Sequence, residues 1–450
     1  MQVASDIDWA TVQAETAKHL RALIRLETVN PPGNESLVAD YLKDAVENEG
    51  LKATIVEKVP GRGNFVTRIA GQGHERPLLL MAHSDVVPVQ AEKWTHPPFA
   101  ADVVDGMIWG RGAIDTKDLV ACELVVILLA QRLGLKLNRD LIMCTFADEE
   151  MGTGIGARFM WTEHRDLIDA GAAINEGGGH SVTIGGNRFY LCQTGEKGSG
   201  GRFRMKARAR SGHASLPRRD TAMLRMGRAL TTLCEHEFPT VMTATVKRML
   251  VTLRDSLGGE AARLIDVAMA DPTPENLSRI PLDEMQRLSL LASTRNTAVP
   301  TLLHGGHHIN TIPAEVICDV DGRVVPGQDS HAFVESVRTL LGNDVEIEEL
   351  RPGWPPGPEA DPDSELFQTI RRVIQDLDPG ADVVPFLVAG GTDAKWLDGL
   401  NVYGFMPGHY SQVELDGPHN HDERVAVENL GFATRALFQI VTKYCRAEVN

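Results

Sequence analysis

Cysteine is scarce and scattered in this 450-residue chain: Cys122, Cys144, Cys192, Cys234, Cys318 and Cys445 form no Cys-x-x-Cys pair. That argues against a thiolate metal site and a disulfide frame, and reads as thiols in mostly apolar surroundings in a reducing cytoplasm. No apolar run approaches the ~20 residues of a membrane span. Residues Met1 to Trp9 have neither the basic start nor the hydrophobic centre of a secretory signal. Positive charge is short as well. Lys+Arg 45 against Asp+Glu 61 leaves a net −16, which argues against non-specific nucleic-acid binding and against adsorption to anionic membranes. Internal repeats and low-complexity segments are lacking. What remains, 43% hydrophobic and 24% charged, is the composition of a globular protein. The length exceeds one ordinary core, so two domains are expected.

The stretch Leu78-Leu-Leu-Met-Ala-His-Ser-Asp-Val-Val-Pro-Val89 organises the reading. Its apolar run predicts a strand buried on both faces, as in the middle of a parallel sheet. His83 and Asp85 then arrive at the C-terminal end, where open α/β sheets gather ligands. Their i, i+2 spacing puts them on one side of an extended chain. A carboxylate beside an imidazole fixes the ring's tautomer and makes it a better metal ligand.

Other strand ends deliver more polar groups. The chain should open with a helix capped by Ser5 or Asp6, followed by a second over roughly 35–48 and short strands before Leu78. Asp115, in Gly110-Arg-Gly-Ala-Ile-Asp-Thr-Lys-Asp118, precedes a long apolar helix over 119–133, where a carboxylate is also favoured as a cap. The buried strand 141–146 empties into Asp148-Glu149-Glu150, three acids that repel unless something positive sits among them. The strand 172–175 delivers Glu176. From Arg202 to Arg210, basic and apolar residues alternate, the pattern of a small antiparallel sheet with one solvated face. Helices and strands of an α/β insert follow, and Pro/Gly-rich 351–358 marks the return to the first domain. Gly417-Pro-His-Asn-His-Asp-Glu423 supplies His419 or His421 ahead of a closing helix over 427–444.

Two imidazoles and several carboxylates with no thiolate make a nitrogen/oxygen ligand set suited to zinc, with manganese or cobalt accepted. Five ligands for two ions require one to bridge, as in two-metal hydrolases. The ordered motifs resemble the family of dinuclear zinc hydrolases that includes aminoacylase, glutamate carboxypeptidase and succinyl-diaminopimelate desuccinylase. The long segment 235–291 is similar to the carboxypeptidase-S-like branch.

The resemblance covers nearly the whole chain. It implies a zinc-exopeptidase-like α/β catalytic domain, with a mixed, mostly parallel sheet between helices, in residues 1–194 and 351–450. An inserted α/β lid and dimerisation domain would occupy 195–350. It implies metal ligands His83, Asp115 (bridging, before a cis peptide), Glu150, Glu176 and His419, with His421 the less favoured alternative. Asp85 would orient His83, and Glu149 would be general base. His213, in Gly212-His-Ala-Ser215, would reach a neighbouring subunit's site in a homodimer and stabilise the oxyanion. Asn310, Arg323, Gly390, Gly391 and Thr392 would hold the substrate. Asp118 stands where the family usually has Gly.

The implied reaction is hydrolysis of an amide in a peptide or N-acyl amino acid with a free carboxylate, by a metal-bridged water with Glu149 as base. One rival reading is open. Gly152-Thr-Gly-Ile-Gly-Ala157 follows a strand and opens a helix, with Glu176 after the next strand, and so meets the letter of a dinucleotide loop in a nucleotide-dependent oxidoreductase.

Overall fold

Strand Leu78–His83, every residue of it buried, lies inside a nine-stranded sheet. It pairs in parallel with Leu141–Phe146 on one side and Ala172–Asn175 on the other. Asn401–Gly404 continues the parallel set beyond Ala172–Asn175. The flanking strands Ala53–Glu57, Gly63–Ile69 and Asn187–Glu196 join antiparallel. The sheet is thus mixed with a parallel centre, and its central strands bury both faces because helices cover both sides.

This is a computed structural model describing residues 7–448. The chain divides into two compact units. One comprises the described residues up to Thr194 with Ala360–Phe386 and those from Thr392; the other is Gly195–Glu359 with Leu387–Gly391. Among the described residues no helix is long and apolar enough to cross a membrane.

In the first unit the helix Lys117–Arg132 is buried continuously from Lys117 to Ala130. It packs on strands Leu78–His83 and Leu141–Phe146 and against helices Trp9–Ile24 and Val427–Tyr444. The last of these begins and ends where the sequence pattern put it. The first helix differs at its start. Ser5 and Asp6 lie outside the described residues, and Asp8 is the cap, its carboxylate accepting the Ala10 N–H at 3.1 Å.

The second unit holds an antiparallel sheet in the order Thr297–Gly305, Glu315–Arg323, Phe203–Arg208, Glu346–Glu349. Phe203, Met205 and Ala207 are buried while Arg204, Lys206 and Arg208 face outward. The basic stripe is neutralised across the strands: Arg204 pairs with Asp319 at 2.6 Å, Arg208 with Glu315 at 2.7 Å, and Lys206 with Glu348. Helices Ala222–Glu235 and Ser330–Leu341 cover the apolar face. All six cysteines are free. Five are buried, in keeping with the mostly apolar surroundings expected for them, and Cys234 is exposed.

Candidate metal centre

The polar residues that the sequence places at strand ends converge in the first unit. His83 closes its strand, Glu176 follows Ala172–Asn175 directly, and Asp115 lies just before the buried helix. His83 Nε2 is 3.1 Å from Asp115 Oδ1 and 3.6 Å from Glu176 Oε1. The other oxygen of Asp115, Oδ2, is 3.1 Å from His419 Nε2, which is also 3.1 Å from Glu150 Oε2. One carboxylate therefore spans two imidazoles, giving an oxygen to each. Glu149 gathers with His83 and Glu176 on one side, while Asp115 and Glu150 gather with His83 on the other. His421 is exposed and takes no part in this cluster; its backbone N–H donates to Asn420 Oδ1.

A second set of buried groups holds these side chains. His83 Nδ1 lies 2.9 Å from the Asp85 backbone carbonyl and 3.5 Å from its carboxylate, so the ring is oriented more by main chain than by side chain. The Asp85 carboxylate instead accepts the N–H groups of Glu149 at 3.0 Å and Glu150 at 3.1 Å, and the Asn30 amide at 2.9 Å. Glu423, fully buried, takes Arg111 at 2.5 Å and the backbone N–H groups of Gly112, Ile114 and Asp115 at 3.1, 2.8 and 3.1 Å. It thereby fixes the loop that presents Asp115. The Asp115–Thr116 peptide is cis. Asp115 does not act as a helix cap; the cap position is Thr116, which uses no side-chain bond there.

The electrostatics call for positive charge. Burial opposes the His83 cation, yet Glu176, Asp115 and Asp85 hold its pKa well above the usual imidazole range. Hydrogen bonds to Asp115 and Glu150 lift His419 to about 10. Burial raises Glu150 to about 7 against the pull of His419, and its Oε1 is buried with no hydrogen-bond partner. Four carboxylates, a shared Asp115 and an unsatisfied buried oxygen beside two imidazoles form a site that fits divalent cations. The field that would keep protons on two imidazoles would also attract such ions.

Lys395 was not singled out from sequence. Its Nζ donates to Glu149 Oε1 at 3.1 Å and to the Thr392 carbonyl at 2.5 Å. Thr392 Oγ1 accepts from Asn175, the residue before Glu176, at 3.1 Å. The signal was present, three residues beyond Gly390-Gly-Thr392, but a lysine after a turn carries no periodic signature. Arg111, Asn30 and Glu423 were likewise unassigned.

His213 and Asn310 belong to the second unit and lie together there: Gly212–His213 pairs with Thr311–Ile312, and Ala214 N–H donates to the Asn310 carbonyl at 2.9 Å. His213 is exposed, its Nδ1 2.7 Å from Ser215 Oγ. Arg323 is held by Asp321 at 3.0 Å. Gly390 and Gly391 fall in the second unit and Thr392 in the first.

The dinucleotide-loop reading is not supported. Loop 152–157 folds onto its own acid, with Asp148 Oδ2 accepting Thr153 Oγ1 at 2.7 Å and the Gly154 N–H at 3.0 Å. The Gly154 donor that a pyrophosphate would need is already spent, and Glu150 lies alongside.

The chain resembles known proteins over most of its length. The profile of Peptidase family M20/M25/M40 matches residues 79–443. A probable carboxypeptidase S-like 2 of Dictyostelium discoideum is 28% identical over 79% of this chain and 69% of its own. Human aminoacylase-1 is 26% identical over 90% of this chain and 89% of its own. The human N-fatty-acyl-amino acid synthase/hydrolase PM20D1 is 25% identical over 81% of this chain and 74% of its own. Among solved structures, the M20 family metallo-carboxypeptidase Sso-CP2 from Sulfolobus solfataricus superposes with a TM-score of 0.72 at 18% identity, covering 96% of this chain and 99% of that one. A dinuclear metal binding peptidase of the M20 family from Bacillus subtilis gives 0.60 at 13% identity, covering 97% and 99%.

Proposed function

Because the chain belongs to Peptidase family M20/M25/M40, an amide-hydrolysing family of metallopeptidases and aminoacylases, we propose that it hydrolyses N-acyl amino acids or peptides bearing a free carboxylate on the amine side. The observation that carries the reading is the convergence of His83, Asp115, Glu150, Glu176 and His419 around one carboxylate, with Glu149 beside them. Those five side chains would hold two divalent cations, Asp115 serving both. Zinc suits the nitrogen/oxygen set, and cobalt or manganese would substitute. When bound, such ions polarise a carbonyl and acidify water.

The remaining work falls to the chain's own groups. Glu149 takes the proton of the attacking water and returns it to the leaving nitrogen. Lys395 holds one Glu149 oxygen, which leaves the other to meet the proton. Asp85 fixes the backbone from which Glu149 and Glu150 project.

His213 would act on the site of a second copy, stabilising the oxyanion. Support for a homodimer comes from the free edge strand Thr297–Gly305, which exposes Val299, Leu302 and Leu303 by more than half. Its buried free thiols are consistent with a cytoplasmic setting.

The test is metal analysis followed by a screen of N-acyl amino acids and dipeptides with and without chelator. Glu149→Gln should lower kcat by roughly 10²–10⁴ at unchanged metal content. Substantial residual turnover in that variant removes the base assignment, and activity indifferent to chelation removes the metal.

A further inference from the structure

A cavity of about 240 Å³ opens beside Asp115 and Glu176 within the first unit. We propose that it is the subsite for the acyl half of the substrate and that it selects an uncharged, apolar acyl chain. The assignment rests on the hydrolase reading above.

Its walls are the side chains of Ile114, Met406, Tyr410, Leu415 and Pro418. Tyr410 turns its hydroxyl toward the Met406 carbonyl, at 3.4 Å. Gly177 and Gly178 line the side nearest Glu176 and contribute no side chain. At both of them, bulk is barred. A Cβ on Gly178 would lie 2.5 Å from the Gly404 carbonyl oxygen, and Gly177 has φ +103°. Space next to the metal ligands is therefore kept open by backbone alone.

Charge decides which half of an amide enters. The lining includes no lysine or arginine among the described residues, and burial lowers the pKa of its one imidazole, His180, which disfavours the charged ring there. It includes three carboxyl groups, Asp115, Asp118 and Glu176. Two of these belong to the metal site. The third, Asp118, is 1% exposed, and its Oδ1 accepts the Leu119 N–H at 2.8 Å. Ionised or neutral, Asp118 offers an incoming carboxylate no counter-charge, so burying one there is costly. The amine half, which carries the carboxylate, is thereby directed elsewhere, and the acyl half is left to fill an apolar space. Asp118 and the five apolar side chains then determine specificity.

The experiment uses the metal-loaded full-length chain and a series of N-acyl derivatives of one amino acid: acetyl, butyryl, pentanoyl, hexanoyl, octanoyl and succinyl. kcat/KM should rise about fourfold per methylene until the cavity is full. The succinyl compound should be slower than the pentanoyl one by roughly tenfold or more. Leu415→Trp, which narrows the cavity, should lower the hexanoyl-to-acetyl ratio and shorten the chain length at which the rise stops. Met406→Ala should lengthen it, and stands in if the tryptophan variant does not fold. Hydrolysis with a flat chain-length profile, or a succinyl compound as good as pentanoyl, overturns the subsite while leaving the hydrolase reading intact. Ratios unmoved by both variants overturn it as well. Failure to hydrolyse any member or any dipeptide overturns the hydrolase reading, and the subsite falls with it.

Discussion

Glu423 should control metal affinity without touching the metal. Its two oxygens divide the work: Oε2 takes Arg111 and Gly112, while Oε1 takes Ile114 and Asp115. All of this is sealed from water, since Glu423 is 0% and Arg111 3% exposed. Glu423→Ala leaves a buried guanidinium and three backbone N–H groups without their acceptor. Breaking a buried pair from one side costs about 3–5 kcal/mol. Glu423→Gln keeps one acceptor oxygen and turns the other into a donor facing donors, so it should lose less stability but still release one half of the loop. Because the freed segment includes Asp115, which offers an oxygen toward each imidazole, both ions should bind more weakly. Loss of such a supporting contact typically weakens metal binding 10–100-fold, or about 1.4–2.7 kcal/mol. Competition with a chromophoric chelator gives the affinity, and urea unfolding at saturating metal gives the stability. If the glutamine variant binds metal as tightly as the parent chain, Asp115 is held by its imidazole neighbours and the loop argument is wrong.

Two further predictions concern groups the reaction does not use. Glu123 is fully buried with neither oxygen in hydrogen-bond geometry, and burial drives its pKa well above the carboxylate range against a pull from the Met81 N–H; Glu123→Met should raise stability by about 1–3 kcal/mol in urea unfolding, and a loss of similar size would mean that the carboxyl has an essential partner. Lys197 donates to the carbonyls of Ala292 and Arg295 at 3.1 and 2.8 Å and to Thr297 Oγ1 at 2.9 Å, and burial lowers its pKa from 10.5 to about 7. Between those values the unfolded chain binds a proton that the folded chain does not, so stability should rise with pH from about 7 to 10.5, by at most about 1.4 kcal/mol per pH unit. Lys197→Met should flatten that slope in unfolding curves measured at pH 7 and 9.5, and an unchanged slope would assign it to other groups.

Much of the centre was legible because each of its members sits where a strand or loop motif stops. An apolar run fixes the strand, and the first polar residue after it must lie at the sheet's edge, so His83, Glu149, Glu150 and Glu176 could be named before any coordinates. The parallel centre was legible for the same reason. The supporting groups were not. Glu423 and Arg111 lie 312 positions apart, and Lys395 and Glu149 lie 246 apart, and nothing periodic marks a residue whose role is to satisfy a distant N–H. Strand Asp382–Val388 escaped because Pro385 interrupts its apolar run, and Asn187–Glu196 because its apolar run 189–192 is flanked by polar residues without alternation. The glycine loop offered only a rival reading, because its spacing is shared by any tight strand-to-helix turn; what closes it is Asp148.

The Asp85 carboxylate is where these two layers meet. From the residue pattern it was a partner for His83, yet its stronger bonds go to the Glu149 and Glu150 N–H groups, while its backbone carbonyl faces the His83 ring. Asn30, which follows the first helix, donates to Asp85 at 2.9 Å and to Asp148 at 3.2 Å, tying the acids that follow the two parallel strands to one amide. Adjacent parallel strands in register, His83 opposite Phe146, bring these loop ends within reach of one another. One side chain just past the central strand thereby fixes the backbone of both Glu149 and Glu150, the proposed base and one proposed ligand. Displacing Glu149 relative to Glu150 would have to break hydrogen bonds to a carboxylate buried at the sheet's edge, so the two should move as a unit.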